Sequence, residues 1–185
     1  MTSWDPPIQA VLTSGPGNAY CHNMDQQRRI RDGDTLESFV LVSLDNYKPG
    51  KLERTMFVGE PTAEQEEYFS LVRDAQSLLI ETIEPGVPFD EAENTVDAFF
   101  EDHGVADLQM HRPGHGMGLS WLSLPLIDRG LDGAFSKGEI FTVEPGLYVD
   151  GLGGFRHCDV ATVTQDGVEL LTEYPTDLPT LTVRP

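Results

Sequence analysis

The sequence has few positive charges, few cysteines and no long hydrophobic run. Of its 185 residues, 12 are Lys or Arg and 31 are Asp or Glu, so the formal net charge is −19. Such a chain repels phosphate backbones and anionic lipids, and we therefore expect neither nucleic acid nor a membrane as a partner. No run of 18 apolar residues could cross a bilayer, and the first residues lack the basic and apolar segments of a signal peptide. The two cysteines, Cys21 and Cys158, are typical of free thiols in a reducing compartment, so a cytoplasmic protein is expected.

Lysine is particularly scarce. Only three of the 12 basic residues are lysines, namely Lys48, Lys51 and Lys137. An acidic surface with little lysine is typical of proteins in concentrated salt, because salt screens the repulsion between like charges. The composition therefore predicts a halophilic protein.

The apolar pattern predicts a strand pair, two helices and then several strands. Thr62 and Gln65 form a capping box before the first helix, and Asp90 with Glu93 is expected to begin the second. This order of elements predicts an α+β fold in which helices cover one face of a curved, mostly antiparallel sheet. We expect residues 1–185 to form a single domain. The predicted strands cover residues 8–12, 35–44, 51–59, 139–149, 155–165 and 168–172.

Residues 111–119 (HRPGHGMGL) place three glycines close to His115. Glycine lets the backbone approach a ligand closely and can hold an imidazole in one place. The alternative is a glycine-rich turn that carries a histidine at the surface.

Two further stretches place polar groups at the ends of apolar strands. Residues 143–146 (VEPG) put Glu144 after a strand, where it could also serve only solubility. Residues 153–160 (GGFRHCDV) alternate, so Arg156 and Cys158 are expected on one face and His157 and Asp159 on the other. The alternative for Arg156 is an ion pair with an aspartate on a sheet.

Together these stretches resemble the superfamily of methionine aminopeptidase, Xaa-Pro aminopeptidase/dipeptidase and creatinase. The order HxxGHGxGL, EPG, GGxRxxD and VTxDG is specific as a set, and residues 52–62 (LERTMFVGEPT) are similar to a further segment of that superfamily. The resemblance covers about residues 14–173. It implies the pita-bread fold, a homodimer, and a chain that is truncated at its N-terminus relative to family members.

The resemblance also implies a set of metal ligands, which this sequence matches only in part. Peptidases of the superfamily hold two divalent metals with two Asp, one His and two Glu. His115 and Glu144 match, but Lys51 and Cys158 stand where two of the acids are expected. No acid stands at Val40, where a further one is expected, and the nearest candidates to replace it are Glu37 and Asp45. We therefore expect no cofactor. The alternative is a divalent metal such as Mn, Zn or Co, with His115, Glu144 and Cys158 as ligands.

The metal-free creatinase-like branch is closer in motif, because it shares the LERT segment and a His-Asn followed by Arg-Arg, as at residues 22–23 and 28–29. The resemblance implies that His22 and His115 are catalytic. Glu53, Glu144, Arg156 and His111 would then bind the substrate. One departure is Leu122, which replaces a second histidine of the family.

Three functions follow from these residues. The first is a hydrolase that cleaves a C–N bond in a small nitrogenous substrate without a dinuclear metal centre. The second is a metal-dependent Xaa-Pro dipeptidase or aminopeptidase, which would act on a dipeptide-like substrate. The third is an inactive binding module of the same fold.

Overall fold

The computed structural model describes residues 8–21, 23, 27–44 and 48–184, the side chains of residues 43, 44 and 48 excepted. Short 3₁₀ turns lie at Gly15–Ala19 and Ala106–Leu108. Within the described residues, none of the helices combines the length and the apolar character that a bilayer span requires. The main elements follow in this order: β1 Ile8–Ser14, β2 Thr35–Leu44, β3 Lys48–Val58, α1 Ala63–Thr82, α2 Phe89–Asp102, β4 Gly114–Gly116, β5 Ser123–Ile127, β6 Ile140–Val143, β7 Gly146–Val149, β8 Gly153–Arg156, β9 Asp159–Val163, β10 Val168–Leu170, α3 Leu178–Leu181 and β11 Thr182–Val183.

Two sheets and a hairpin make up the β structure. The first sheet has the order β1-β2-β3-β11 and the second the order β10-β9-β6-β4-β5, while β7 pairs with β8. Neighbouring strands are antiparallel except β11, which runs parallel to β3. The mostly antiparallel α+β arrangement predicted from the sequence is confirmed.

The first helix begins as the sequence predicts. The hydroxyl of Thr62 accepts a hydrogen bond from the backbone N–H of Gln65 at 3.2 Å, and the Gln65 side chain accepts one from the Thr62 N–H at 2.8 Å. These bonds satisfy two N–H groups that a helix leaves open at its start. Phe69, Val72 and Leu79 of α1 are buried in the core.

The start of the second helix differs from the prediction. Pro88, whose backbone is extended, occupies the N-cap position and its side chain forms no capping bond. Asp90 therefore lies inside the first turn. Its negative charge interacts favourably with the helix dipole, but Asp90 is not the N-cap residue. Glu93 is buried and faces Arg129. At the other end, Gly104 follows the helix with a positive φ of 70°, a conformation that glycine adopts readily.

The aromatic core lies between the helices and the strands. Phe57 of β3 packs edge-on against Phe69 of α1 with ring centroids 5.6 Å apart, and Phe155 of β8 lies 6.4 Å from Phe57. These contacts fix β3 and β8 against α1.

Two strand breaks position polar residues beside β3. Glu144 lies between β6 and β7, and its N–H donates to the carbonyl of Pro113 at 2.7 Å. Cys158 lies between β8 and β9, and it exchanges two backbone hydrogen bonds of 3.0 and 3.1 Å with Glu53 of β3. The break at Cys158 is thus paired with β3, and the Glu144 carboxylate reaches the same strand through its ion pair with Lys51.

Candidate metal centre

Three buried side chains converge where β3 meets the two strand breaks. Ligand atoms of Glu53, Glu144 and Cys158 lie within 4.8 Å of one another. Glu53 and Cys158 are held by their mutual backbone bonds, and Glu144 by its bond to Pro113. Two carboxylates and a sulfur in one buried place are donors that could hold a metal ion.

Lys51 lies among these three groups. It is two residues before Glu53 on β3, so both side chains project from the same face of the strand. The Lys51 ammonium forms an ion pair with Glu144 and lies 3.9 Å from Oε1 of Glu53. Burial alone would lower the pKa of Lys51, but the charges that Cys158, Glu53 and Glu144 can carry raise it above its ordinary value.

His115 stands next to Glu144 on the opposite wall. Its Nδ1 donates to the carbonyl of Gly116 at 3.0 Å, which leaves Nε2 facing Oε1 of Glu144 at 2.9 Å. Nε2 has no hydrogen-bond partner among the described residues. A ring nitrogen and a carboxylate oxygen this close together in a buried place are an arrangement that a positive charge between them would stabilise.

The hydroxyl of Thr142 connects the backbone of His115 with the side chain of Glu144. It accepts from the His115 N–H at 3.0 Å and donates to Oε1 of Glu144 at 2.8 Å. Gly116 permits the close passage of β4 beside β5, because a Cβ at that position would lie 2.6 Å from the carbonyl oxygen of Leu124. This explains why glycine surrounds the histidine in the sequence.

Arg156 supplies a second positive charge to the site. Its guanidinium forms an ion pair with Glu37 of β2 and contacts Oε1 and Oε2 of Glu53 at 2.9 and 2.6 Å. Arg156 and Cys158 therefore face the same side, as the alternation predicts. His157 packs against Phe69 on the other side, at 4.9 Å between ring centroids.

His111 is bound to another aromatic residue rather than to a carboxylate. Its Nδ1 donates to the carbonyl of Arg112 at 2.7 Å, and its Nε2 accepts from the hydroxyl of Tyr148 at 2.9 Å. Burial and the nearby charge of Arg156 lower the pKa of His111 to about 4. Gly146 leaves room for this pair, because a Cβ there would lie 3.0 Å from Nε2 of His111.

The two carboxylates of the site have different proton affinities. Burial raises the pKa of Glu53 to about 7, although Arg156 and Lys51 act against this. Burial would also raise the pKa of Glu144, but the positive charges of Lys51 and Arg156 hold it well below its usual range. Glu144 is therefore ionised, while Glu53 is suited to exchange a proton near neutral pH.

A cleft of about 200 Å³ opens onto this group of side chains. Lys51, Glu37 and Arg156 line its polar part, and Phe39, Leu41 and Trp121 contribute to its apolar walls. The ring of Trp121 lies 6.0 Å from that of His115. A small molecule with an apolar part could therefore reach the charged residues.

The structure brings His115, Glu53, Glu144 and Arg156 into one site, and His111 lies beside it through Tyr148. The predicted catalytic residue His22 lies outside the described residues. Leu122, which replaces the second histidine of the resemblance, is half-exposed.

Sequence reasoning did not identify Thr142, Tyr148 or Trp121 as part of the site. Thr142 had a signal, because it is two residues before Glu144 and shares its face of the strand. Glu37 was considered only as a stand-in for a missing acid. Its role follows from the register that places it opposite Thr55, in the same row of side chains as Glu53.

The two carboxylates and the thiol that meet beside β3 are a buried donor set of the kind that could hold a metal ion. The model of metallopeptidase family M24 matches residues 2–165. The chain therefore belongs to metallopeptidase family M24, and the predicted pita-bread fold is confirmed.

Several relatives show the same likeness. The chain is 31% identical over 173 residues to the Xaa-Pro dipeptidase of Pyrococcus furiosus, covering 94% of this chain and 49% of the relative. Among solved structures, the dipeptidase PepE of Mycobacterium ulcerans is 27% identical with a TM-score of 0.90, covering 95% of this chain and 47% of that one. The prolidase of Pyrococcus horikoshii is 27% identical with a TM-score of 0.87, and the match covers 91% of this chain and 48% of that one. The chain thus spans about half the length of the relatives it matches.

These findings correct two expectations. The prediction that no cofactor takes part is wrong, because the family is one of metallopeptidases and because Glu53, Glu144 and Cys158 form a group that could hold a metal. From the sequence, Glu53 was expected to bind substrate and Cys158 to be a ligand only in the alternative interpretation, but the strand pairing places Glu53 beside Cys158. The creatinase-like function is not supported either, since the relatives named above are dipeptidases and a prolidase.

The side chains fit one cation. The Glu144 carboxylate, the Cys158 thiol and the His115 imidazole are donor types of a zinc site with three protein ligands, and the Glu53 carboxylate lies beside them. The unpartnered Nε2 of His115 beside Glu144 supports this fit.

Proposed function

We propose that this chain is a metal-dependent peptidase that hydrolyses the bond before proline in dipeptide-like substrates. Membership of a metallopeptidase family supports the reaction class. The relatives named as Xaa-Pro dipeptidase and prolidase support the substrate class. The observation that carries the proposal is the convergence of Glu53, Glu144, Cys158 and His115 beside the cleft.

A bound divalent cation would polarise the carbonyl of the scissile bond and make a water molecule more acidic. Glu144, which stays ionised, would anchor the cation together with Cys158 and His115. Glu53 is the group suited to take a proton from the attacking water, because its pKa of about 7 lets it change charge near neutral pH. The same carboxyl group can then return that proton to the leaving imino nitrogen of proline.

The cleft walls suit the apolar parts of such a substrate. Phe39, Leu41 and Trp121 are aromatic or aliphatic, and they line the same cleft as the charged side chains of Glu37, Lys51 and Arg156. When water is excluded from these walls, the local dielectric constant falls, and the electrostatic interactions of the charged side chains become stronger. Arg156 keeps Glu53 in place through its two contacts with that carboxyl group.

The test is an assay of the whole chain on dipeptides that end in proline, with dipeptides that lack proline as controls. After removal of metal by a chelator, addition of Zn²⁺, Co²⁺ or Mn²⁺ should restore hydrolysis of the proline dipeptides only. Glu53→Gln should lower kcat by about 100-fold or more, since a general base contributes at least this much. Folded protein that hydrolyses no proline dipeptide with any metal, or that works equally well with chelator present, contradicts the proposal.

Several expectations from the sequence stay predictions. They are the single domain of residues 1–185, the homodimer, the halophilic setting and the cytoplasmic location. The roles of the site residues also stay predictions: catalysis by His22 and His115, and substrate binding by Glu53, Glu144, Arg156 and His111.

A further inference from the structure

The donors of the metal centre already surround a cation, the ammonium of Lys51. It forms an ion pair with Glu144 and lies 3.9 Å from Glu53, and the Lys51 residue is only 4% exposed. A divalent ion among the same donors would stand within a few ångströms of this ammonium. Because like charges repel strongly in a buried place, the two cations compete for the site.

Cys158 determines which kind of divalent ion the site prefers. Its position is fixed by two backbone hydrogen bonds to Glu53, and it is fully buried. A thiolate is a soft ligand, which favours Zn²⁺, Co²⁺ or Fe²⁺ over the hard ions Mg²⁺ and Mn²⁺. A site made only of carboxylates and imidazole would not make this distinction so strongly.

Lys51 has a place to go when a metal enters. Its side chain lines the cleft, and its Nζ lies 5.6 Å from the centre of the Phe39 ring on β2. This distance belongs to the position beside Glu144, and because the side chain already lines the cleft, rotation about its bonds would carry the ammonium toward the opening and away from Glu144.

We propose that the site binds one thiophilic divalent cation through Cys158 and that Lys51 is its built-in competitor, which must leave the carboxylates for the metal to bind. This inference rests on the proposed function for its metal, and it adds the class of the cation and the role of Lys51. It concerns binding alone, so it can be tested without any substrate.

The experiment titrates purified, metal-free protein with Co²⁺ and records the absorption band that a thiolate–cobalt bond produces. The unchanged chain is compared with Lys51→Met and with Lys137→Met, which makes the same substitution at an exposed position. We expect Lys51→Met to bind Co²⁺ about 100-fold more tightly than the other two, because one buried positive charge has been removed. Adding Cys158→Ala to Lys51→Met should abolish the band.

Three results would overturn the inference. They are equal Co²⁺ affinity of the unchanged chain and Lys51→Met, binding of Co²⁺ without the thiolate band, and binding of Mn²⁺ as tight as that of Co²⁺. If Lys51→Met does not fold without metal, recovery of the fold on adding Co²⁺ supports the inference. If it folds in neither condition, Lys51→Gln, which keeps a polar group beside Glu144, is titrated in the same way. Its Co²⁺ affinity relative to the unchanged chain then decides whether Lys51 competes with the metal.

The outcome separates this inference from the peptidase proposal. Tight Co²⁺ binding with a thiolate band but no hydrolysis of proline dipeptides would refute the activity and keep the metal site. Hydrolysis that depends on Mn²⁺, with no thiolate band in any variant, would keep the activity and refute the site described here.

Discussion

Glu53 and Arg54 are neighbours on β3, but they belong to two different buried charge networks on opposite faces of the strand. The Arg54 guanidinium donates to Asp159 at 2.8 Å, and it also donates to four backbone carbonyl oxygens. Asp159 accepts further bonds from Thr172 at 2.7 Å and from Gln76 at 3.0 Å. Every charged atom of this pair therefore has a partner.

The network on the other face is arranged differently. Lys51 lies among two carboxyl groups and a thiol, and Nε2 of His115 has no hydrogen-bond partner among the described residues. This face opens onto the cleft, whereas the Arg54 face meets helix α1 and the C-terminal segment. A buried polar network with all bonds made holds a fold together, while one with unmet bonding capacity is poised to take a ligand.

The largest expected effect comes from breaking the Arg54 network. Asp159→Ala removes the carboxylate and leaves a buried guanidinium unpaired, so we expect the free energy of unfolding to fall by about 3–5 kcal/mol. Chemical denaturation measures this loss. Asp74→Ala, at an exposed position on α1, should change stability little. Equal stability of the two variants would contradict the structural role of this network.

A smaller effect is expected from removing the hydroxyl of Thr142, which connects His115 with Glu144 in the metal centre. Thr142→Val keeps the shape but leaves the His115 N–H without its acceptor, so the free energy of unfolding should fall by about 1–3 kcal/mol. Thr142→Ser retains the hydroxyl and serves as the control in urea unfolding. A serine variant as unstable as the valine variant would show that packing, not the hydrogen bonds, is responsible.

The pH dependence of stability tests the neutral His111 beside the site. Its pKa is about 4 in the folded protein and about 6.5 when unfolded, so only the unfolded state binds the proton between these values. The stability that this neutral histidine provides is complete above pH 6.5 and is lost as the pH falls toward 4. Between pH 6.5 and pH 5 the expected loss is about 1.5 kcal/mol.

His111→Gln should remove this part of the acid sensitivity, because the amide does not titrate in this range. His103→Gln, at an exposed helix end, provides the matched control. Unfolding curves measured at pH 5 and pH 6.5 give the difference. An unchanged slope in His111→Gln would mean that other groups cause the acid sensitivity.

The smallest effect on stability is expected at Trp121, which is 42% exposed at the mouth of the cleft. Trp121→Ala should change the free energy of unfolding by about 0.5 kcal/mol or less. If the ring contacts the substrate, KM for a proline dipeptide should rise about threefold to tenfold. Leu119→Ala, which is exposed but does not line the cleft, should leave KM unchanged, and a parallel rise in both variants would argue against the contact.

Much of the fold could be predicted from the order of apolar patterns. The strand at 35–44 and the capping box at Thr62 lie where they were expected, because local alternation and local capping bonds decide them. The start of α2 was predicted wrongly, since Pro88 occupies the N-cap position two residues before the expected cap at Asp90. The Asp166-Gly167 turn joins β9 and β10 as predicted.

The candidate site was predictable only for residues that belong to motifs. The motifs at residues 111–119, 143–146 and 153–160 contain glycine and predict a functional role for His115, Glu144 and Arg156. Tyr148 lies in an ordinary apolar strand, and its bond to His111 depends on how two distant segments meet. The prediction that no cofactor takes part was wrong for the same reason. The pairing of Glu53 with Cys158 joins residues 105 positions apart, so neither segment by itself reveals it.

The sequence by itself determined the strand and helix order, the glycine-framed histidine and the presence of lysine and cysteine where related peptidases carry acids. It could do so because alternation, capping and side-chain chemistry are local properties of the chain. Only the tertiary structure decided that Lys51, Glu53, Glu144 and Cys158 share one buried place. That outcome depends on the register between β3 and two strand breaks, which is fixed by packing between segments far apart in the chain.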